Sequence, residues 1–519
     1  MKSTGAGALA AMLALLGVLS WAPTAAASPL LELVGDPAEK GGLAGRFGGA
    51  SASSAYFNPA FLPSASPGMT LGVFVFADQI GIDVGVRPPG SDISVEASGA
   101  FINDDALTPV FPSPLPTAWL ERGCAQDCEM SGVANAARAR PRQASGSSGN
   151  TRAYIPLGIV KPLISDKFVL GFSALLPAGD FTTTTGFYND HREQYFSNSL
   201  HPELYSDRLT AMSMALGFGS QVIDWLAVGL SFTFNLSNEA NAPNFVPSAE
   251  QFDALLIDNS VKVQSTMAPH VGIVITPKDW LQLTATMHTP QSLKVKAAFS
   301  SFLPDGSEQF ASKTFTHGYV PASASLGGSV AVINGEKTKL RVLAGATITD
   351  WTSYHDRHDE RPDGAYEWSM VVAPTLGARL GIRHTDVMLD ATYVQSPVPE
   401  QTGRTNYVDN DRISASTGIH QRFEMLGLKW RAGLSAQVHH LLQRDHVKDL
   451  GVSDPVVDEV PDAQDVPPDE KDQGAINKMT FEPVEPRQGL QTNNPGYPSL
   501  SSQGWLFGGA VTLALLFDE

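Results

Sequence analysis

Residues 225–236, WLAVGLSFTFNL, alternate strictly between two kinds of side chain. One parity carries Leu226, Val228, Leu230, Phe232, Phe234 and Leu236, and the other carries Trp225, Ala227, Gly229, Ser231, Thr233 and Asn235. Successive side chains of a β-strand point to opposite faces, so a period of two predicts a strand with one apolar and one small or polar face. This pattern is typical of a strand that separates lipid from a polar lumen.

The same alternation recurs along the chain, and in residues 338–350 and 428–439 the second face also carries charge. A charged face does not lie in lipid. Fourteen stretches are predicted as strands, namely 69–77, 152–162, 167–176, 208–222, 225–236, 261–276, 280–298, 320–333, 338–351, 368–383, 386–394, 412–422, 427–438 and 505–517.

The connections between these stretches are alternately long and short. Six are short and rich in turn formers, namely 163–166, 223–224, 277–279, 334–337, 384–385 and 423–426. Short periplasmic turns and long external loops are typical of outer-membrane barrels, and an even strand number permits closure. We therefore predict an all-β fold, a 14-stranded antiparallel transmembrane β-barrel with both termini in the periplasm. A soluble sandwich or propeller accounts less well for this pattern.

The N-terminus differs from the predicted strands. Residues 1–27 contain Lys2, an apolar run at 8–19 and small residues before Ser28, which predicts a cleaved signal peptide and export. Residues 28–68 include GGLAGRFGGASASSAYFNPAFLP at 41–63, which is too small-residued for a core and too apolar for a free linker. We expect 28–68 to be a hatch, or plug, inside the barrel 69–519, whose longest external loops are 78–151 and 439–504.

Composition limits the possible partners. The 519 residues carry a formal net charge of -18, which argues against nucleic acid, because phosphate binding needs clustered Lys and Arg. The two cysteines, Cys124 and Cys128, lie in one predicted loop, and export favours a local disulfide over a metal site. No metal or other cofactor is expected.

Several segments, taken in order, resemble one family. They are Asn58-Pro59-Ala60 at the end of the predicted plug, DWT at 350–352, SPVP at 396–399, DR at 411–412, STG at 416–418 and GWLFG at 504–508. Together they resemble the long-chain fatty acid transporters (FadL) of the outer membrane. The resemblance extends from about Gly41 to Phe517, interrupted by the two long loops.

The resemblance implies a barrel whose hatch, ending at Asn58, Pro59 and Ala60, blocks the lumen. It also implies lumenal binding of hydrophobic molecules and their lateral release into the membrane through a gap at a kinked strand. The family's kinked strand corresponds to the stretch from Lys167 onward, which makes Pro177 and Gly179 the candidate opening. That these two residues simply begin a loop is an equal alternative, since Pro is common at strand ends.

Cations of inward parity are candidate ligands for a fatty-acid carboxylate. They are Arg341, Arg379, Arg383, Arg412, Lys429 and Arg431. The alternative is that most of them only hydrate or cross-link the lumen, because barrel interiors are generally polar.

We predict a monomeric channel in the outer membrane of a Gram-negative-type bacterium, for passive uptake of long-chain fatty acids or similar hydrophobic compounds. Its expected partners are these molecules and outer-membrane lipid. The alternative is a surface-binding barrel, an adhesin or receptor that acts through its long loops. An enzyme is not expected, because the sequence has no Gly-x-Ser-x-Gly, His-Glu-x-x-His or phosphate-loop motif.

Overall fold

The computed structural model describes most of the predicted barrel and the segment before it. The described residues are 29–84, 145–148, 151–164, 167–179, 201–202, 213–235, 238–247, 254–263, 266–302, 308–355, 361–362, 367–402, 407–447 and 499–517. The predicted signal peptide, the Cys124–Cys128 disulfide and most of the two long loops lie outside these residues.

β-strands dominate the described part of the chain. In chain order they are β1 (Gly68–Val84), β2 (Ser145–Ser148), β3 (Thr151–Ile164), β4 (Phe168–Pro177), β5 (His201–Pro202), β6 (Ser213–Ile223), β7 (Leu226–Asn235), β8 (Asn238–Pro247), β9 (Ala254–Val263), β10 (Thr266–Lys278), β11 (Leu281–His288), β12 (Gln291–Phe302), β13 (Glu308–Val320), β14 (Ala322–Asn334), β15 (Thr338–Asp350), β16 (Met370–Ile382), β17 (Thr385–Val394), β18 (Tyr407–Val408), β19 (Arg412–Met425), β20 (Leu428–Val447) and β21 (Ser499–Leu516). All their pairings are antiparallel except that of β5 with β18.

Fourteen of these strands form one closed barrel, which confirms the predicted fold. Their order around the wall is β1, β3, β4, β6, β7, β10, β11, β14, β15, β16, β17, β19, β20 and β21, and β1 pairs with both β3 and β21. Closure of the barrel pairs the backbone N–H and C=O groups of the edge strands, for which lipid offers no hydrogen-bond partners. Short β2 pairs with the end of β1.

Tight hairpins join alternate strand pairs at one end of the barrel, as predicted. The β16–β17 and β19–β20 hairpins use positive backbone φ, 53° at Arg383, 57° at Leu426 and 73° at Gly427. Two-residue hairpin turns favour this conformation, since it matches the twist of the strands. Arg383 therefore lies in a turn, one residue past the end of β16, and not within a strand. We call this end the turn end and the opposite end the loop end.

Several strands differ in length from the prediction. β1 and β20 continue to Val84 and Val447, well beyond 77 and 438. The predicted strands 261–276 and 280–298 each span two elements, because β8, β9, β12 and β13 form a separate four-stranded sheet. The alternation of apolar and polar residues continues from the barrel strands into this second sheet. Periodicity alone therefore does not show where one sheet ends and the other begins.

The two faces of the wall follow the predicted parity. Outward residues such as Leu326, Leu376 and Leu434 are exposed, whereas inward Ser231 and Thr233 are buried. An outward apolar band around a closed barrel is the architecture of outer-membrane proteins. No helix in the described residues is long and apolar enough to cross a membrane.

Residues 29–67, the N-terminal segment, pack against the inner face of the wall. The segment contains α1 (Pro29–Val34), α2 (Ser54–Phe57) and a 3-10 helix, η1 (Pro59–Ser64); a second 3-10 helix, η2 (Trp351–Ser353), follows β15. Tyr56 and Val34 share a buried apolar cluster with Phe74 and Tyr154 of β1 and β3. The core of the protein is thus built between this segment and the barrel.

Candidate functional site

Asn58 joins the two short helices α2 and η1 and is completely buried. Its Oδ1 accepts a hydrogen bond from the Ala60 N–H at 3.2 Å, and its Nδ2 donates to the Arg46 carbonyl at 3.4 Å. Pro59 occupies the first turn of η1, where its missing N–H costs nothing. The Asn58-Pro59-Ala60 motif therefore forms a rigid corner between the two helices.

Glycines in the wall of the barrel leave space for this corner. A Cβ at Gly272 of β10 would overlap Asn58 Oδ1, and a Cβ at Gly229 of β7 would overlap the Pro59 backbone. Only a residue without a side chain permits so close an approach. The corner is consequently seated directly on the backbones of β7 and β10.

Charged residues fix the other side of the N-terminal segment. Arg379 donates to the carbonyls of Lys40 at 2.8 Å and Gly41 at 2.6 Å, and its Nη1 lies 2.5 Å from Asp390 Oδ1. Lys40 Nζ lies 2.5 Å from Asp386 Oδ2. Arg379 therefore holds the N-terminal segment against the wall.

A second cation from the predicted set makes a similar contact. Arg431 Nη2 lies 2.8 Å from Glu39 Oε2, and both side chains are buried. Glu39 also accepts a hydrogen bond from Thr70 of β1, and Ser435 donates to the Pro37 carbonyl at 2.8 Å. These contacts connect the turn between α1 and residue 41 to β1 and β20.

A buried polar cluster lies beneath the loop-end face of the segment. Arg46 Nη2 lies 2.6 Å from Glu32 Oε1 and 3.3 Å from His288 Nδ1, and the Tyr56 hydroxyl donates to the same glutamate oxygen. His270 and His288 are themselves in edge contact, with ring centroids 4.0 Å apart. The cluster joins the segment to β10 and β11.

A cavity opens above this cluster at the loop end. We call it the loop-end cavity; its empty volume is about 1170 Å³, part of it open to solvent. The N-terminal segment forms its floor, and the wall and the loops form its sides. Its lining includes Leu31, Glu32, Leu43, Arg46, Phe47, Phe57, Tyr319, Trp351, Trp368, Ala373, Thr375, Thr392, Val394, Pro397, Asp409, Asn410 and Arg412.

Tyr319, Trp351 and Trp368 contribute aromatic side chains to the lining of the cavity, and Tyr354 and Tyr407 pack against them. Trp368 and Tyr354 stack in parallel with ring centroids 3.7 Å apart, and Tyr407 meets Trp368 edge-on at 5.5 Å. Tyr319 and Trp351 pack against the same buried group. Such rings offer a large apolar contact surface to a ligand.

Polar groups also line the cavity. Burial raises the pKa of Asp409 to about 6, although its hydrogen bond from Ser396 and the charges of Arg412 and Arg444 act in the other direction. Arg444 donates to Ser396 Oγ at 2.8 Å and to the Asp409 carbonyl at 3.3 Å. A few placed polar groups in an otherwise apolar pocket are typical of small-molecule sites.

A second cavity lies at the turn end, below the N-terminal segment, with an empty volume of about 1210 Å³, part of it open to solvent. We call it the turn-end cavity. Cations predominate in its lining, which includes Lys40, Lys337, Lys339, Arg341, Arg379, Arg383 and Arg422 against Glu336 and Asp386. Arg341 donates to Ser329 Oγ at 2.7 Å and to the Asp279 carbonyl at 2.8 Å.

The six predicted cations are therefore dispersed. Arg412 alone among them lines the loop-end cavity, Arg341, Arg379 and Arg383 line the turn-end cavity, and Arg431 contacts Glu39. Lys429 is exposed near the start of β20, opposite Glu424.

Pro177 and Gly179 lie at the loop end of β4. Pro177 is paired with Tyr154, and the Ala178 N–H donates to the Ala153 carbonyl at 2.8 Å, so the seam with β3 is complete there. The described pairing of β4 with β6 ends lower, at Leu175 and Ser213. The lateral opening at Pro177 and Gly179 stays a prediction.

The aromatic group and the Glu32–Arg46 pair were not predicted as site residues. Trp351 was recognised only as part of a family motif. Its partners Tyr319, Tyr354, Trp368 and Tyr407 follow no common spacing, because they come from four separate strand ends and loops. Arg46 is the one charged residue within the small-residue stretch 41–63, which was the available signal.

Several solved structures resemble the chain over nearly its whole length. A Pseudomonas aeruginosa FadL homologue is 15% identical, with 96% of this chain and 98% of that chain covered and a TM-score of 0.48. The P. putida toluene transporter TodX is 13% identical (91% and 97% covered, TM-score 0.44), and the Ralstonia pickettii toluene transporter TbuX is 11% identical (95% and 99% covered, TM-score 0.40).

No protein-family model and no curated protein matches the sequence. Because the structural likenesses are this distant, the fold rests on the strand pairing of the chain itself. FadL, the family that the sequence motifs resemble, is also the family of the P. aeruginosa homologue among these solved structures.

Proposed function

We propose that the protein is an outer-membrane channel for the passive uptake of hydrophobic compounds. The observation that carries this proposal is the loop-end cavity, an aromatic-lined pocket whose floor is the N-terminal segment. The free energy of a hydrophobic solute that enters from outside falls when the solute leaves water for such a pocket. The proposal involves no catalytic step and no cofactor.

The ligand class follows from the lining. Tyr319, Trp351 and Trp368, which line the cavity, suit an alkyl chain or an aromatic ring, and Arg412 offers a cation to a carboxylate. The FadL resemblance favours long-chain fatty acids, and two of the similar solved structures are a toluene transporter and a monoaromatic hydrocarbon channel. We propose both classes of compound as candidate ligands, bound by a monomeric barrel in outer-membrane lipid.

The N-terminal segment, residues 29–67, acts as a hatch in this proposal, in line with the hatch expected for 28–68. Its corner at Asn58, Pro59 and Ala60 is held on glycine backbones, and its far side is held by hydrogen bonds from Arg379 and by ion pairs with Asp386 and Arg431. A hatch of this kind excludes an aqueous route, which favours lateral release into the membrane, where the ligand stays in apolar surroundings. Pro177 and Gly179 remain one candidate place for that release.

Uptake by cells tests the proposal. Gram-negative cells that lack their own fatty-acid and hydrocarbon channels are given the protein, and initial uptake of radiolabelled oleate and toluene is measured. Uptake of at least one probe should rise above the background of cells without the protein, and Trp368→Ala should reduce it. Expression at the cell surface without any increase for either probe would contradict the channel and favour a surface receptor.

A further inference from the structure

The turn-end cavity has a positive charge, although the chain as a whole is acidic. Seven cations and two carboxylates line it, whereas the whole chain has a formal net charge of -18. The cavity opens between the β14–β15 turn, which carries Lys337, and the β16–β17 turn, which carries Arg383. The short turns of an outer-membrane barrel lie in the periplasm. A cationic cavity therefore faces the periplasm.

Four of these cations have no acidic partner in the part of the chain that the structure describes. Asp386 is already shared by Lys40 of the N-terminal segment, at 2.5 Å, and by Arg422, at 3.5 Å. Glu336, the other carboxylate of the lining, forms no ion pair within the described residues. The four cations, which we call the mouth cations, are Lys337, Lys339, Arg341 and Arg383.

Arg341 also faces a like charge across the sheet. It lies directly opposite Arg379 of β16, and like charges at such positions destabilise a sheet. The charge of Arg379 is balanced by Asp390, whose Oδ1 lies 2.5 Å from its Nη1. Arg341, in contrast, donates only to neutral oxygens, those of the Ser329 hydroxyl and the Asp279 carbonyl. An anion bound beside Arg341 would therefore offset a repulsion that the described residues leave in place.

The mouth cations are accessible and lie close to one another. Lys337, Lys339 and Arg383 are exposed. The Arg383 N–H donates to the Lys337 carbonyl at 2.9 Å, which places the two cationic turns side by side. Lys339 lies opposite Gly381, where no side chain occupies the space in front of it. The cavity behind them has an empty volume of about 1210 Å³, part of it open to solvent.

Phosphate is the anion that suits these groups. Guanidinium groups bind phosphate through two parallel hydrogen bonds, and lysine binds it as a point charge. A phosphate monoester carries a charge of about −1.5 to −2 at pH 7, more than a single carboxylate supplies. A cleft lined by one sign of charge also raises the local concentration of counter-ions. The N-terminal segment separates this cavity from the loop-end cavity, so the two sites take their ligands from opposite ends.

We propose that the turn-end cavity binds a small phosphate-bearing molecule that enters from the periplasm, and that the mouth cations bind its phosphate groups. This site goes beyond the proposed function and does not depend on it. The mouth cations line the lumen, whereas phospholipid headgroups lie outside the wall. A soluble ligand is therefore favoured over a lipid.

Calorimetric titration of the full-length protein in phosphatidylcholine nanodiscs tests the site, with pyrophosphate as the probe. The wild-type protein should bind pyrophosphate saturably, and more weakly as sodium chloride is raised, because salt screens exposed charges. Lys339→Gln combined with Arg383→Gln should weaken binding about tenfold or more through the loss of charge-assisted hydrogen bonds. Neither side chain has a hydrogen-bond partner among the described residues, so the barrel should still fold. Arg341→Gln should weaken binding as well.

A matched control removes the same charge from the same end of the barrel. Lys161→Gln combined with Lys167→Gln neutralises two exposed cations of the β3–β4 hairpin, outside the lining of the cavity. This variant should bind pyrophosphate as the wild-type protein does. Equal weakening in both double variants would overturn the site, because overall charge would then explain the binding.

Three further outcomes would overturn the proposal. Absence of saturable pyrophosphate binding by the wild-type protein would remove the site and leave the proposed channel, which is tested by uptake. Loss of pyrophosphate binding when the nanodiscs contain phosphatidylglycerol would assign the mouth cations to a lipid headgroup. Tighter binding of a short polyglutamate peptide than of pyrophosphate would assign them to an acidic protein partner.

Discussion

Nη2 of Arg46 lies 2.6 Å from Oε1 of Glu32, so two charges of the N-terminal segment pair with each other inside the barrel. Tyr56, two residues before Asn58, donates to the same carboxylate. The pair therefore connects α1 to the corner of the segment. Because both residues also line the loop-end cavity, it couples the floor of the cavity to the docking of the segment.

Arg46→Met tests this coupling. Glu32 is partly buried, with its side chain 27% exposed, so loss of its partner should weaken the docking of the segment and release it for part of the time. We expect increased ion conductance in planar bilayers, with the barrel still folded by circular dichroism. Glu32→Gln combined with Arg46→Met removes both charges and should conduct less than the single variant. Wild-type conductance in Arg46→Met would contradict the role of the pair.

Gly272→Val tests the seat of the Asn58 corner. The added side chain overlaps Asn58 Oδ1, so the corner should be displaced and the lumen should leak, again as bilayer conductance. Gly509→Val is the matched control, since a Cβ there meets nothing closer than the Ser435 carbonyl oxygen at 3.8 Å. Equal conductance in the two variants would show that the corner does not close the lumen.

Arg412→Met distinguishes the ligand classes. A charge-assisted hydrogen bond contributes about 1.5–3 kcal/mol, so oleate should bind about tenfold to a hundredfold more weakly while toluene binding stays the same. Lys429 is a cation near the turn end of β20, and the control variant Lys429→Met should change neither the oleate nor the toluene affinity. Titrations of the purified protein measure both. Equal losses for oleate and toluene would show that Arg412 maintains the shape of the cavity and does not bind a carboxylate.

Asp409, in a loop that lines the cavity, should make the stability of the folded protein depend on pH. Its folded pKa of about 6 lies above the ordinary value of 3.8, so the folded state binds the proton more tightly and stability rises as pH falls from 6 towards 4. The full difference is about 3 kcal/mol. Asp409→Asn should remove the pH dependence of the melting temperature in this range. An unchanged pH dependence would assign it to other groups.

The strands and their hairpins were predictable because lipid imposes a period of two on every barrel strand. Residues 225–236 and 428–439 show this directly, and burial of Ser231 and His439 follows it. The inward parity of Arg379 and Arg431 was equally readable. Their partners were not, because Lys40, Gly41 and Glu39 are hundreds of residues away and no period relates a lumenal segment to the wall.

Neither the cavity nor the end of the β16–β17 ladder at Thr375 and Thr392 could be predicted from the sequence, for related reasons. Tyr319, Trp368 and Tyr407 meet through the geometry of strand ends, and a proline interrupts a ladder only on the side where its missing N–H would have pointed. Pro374 breaks the seam with β17 and keeps its pairing with Ala346 of β15. Which neighbour loses the bond depends on register, and register follows from the closed barrel.

The most direct measurement is a crystal structure of the protein with a fatty acid that carries bromine on its terminal carbon. The anomalous signal of bromine locates the chain without ambiguity from lipid or detergent. We predict a bromine peak inside the loop-end cavity, between the Phe47 floor and the Trp368 wall. A fully occupied ligand whose bromine lies only on the outer surface of the barrel, with the cavity free of it, would contradict the proposal that this protein takes up hydrophobic molecules through its lumen.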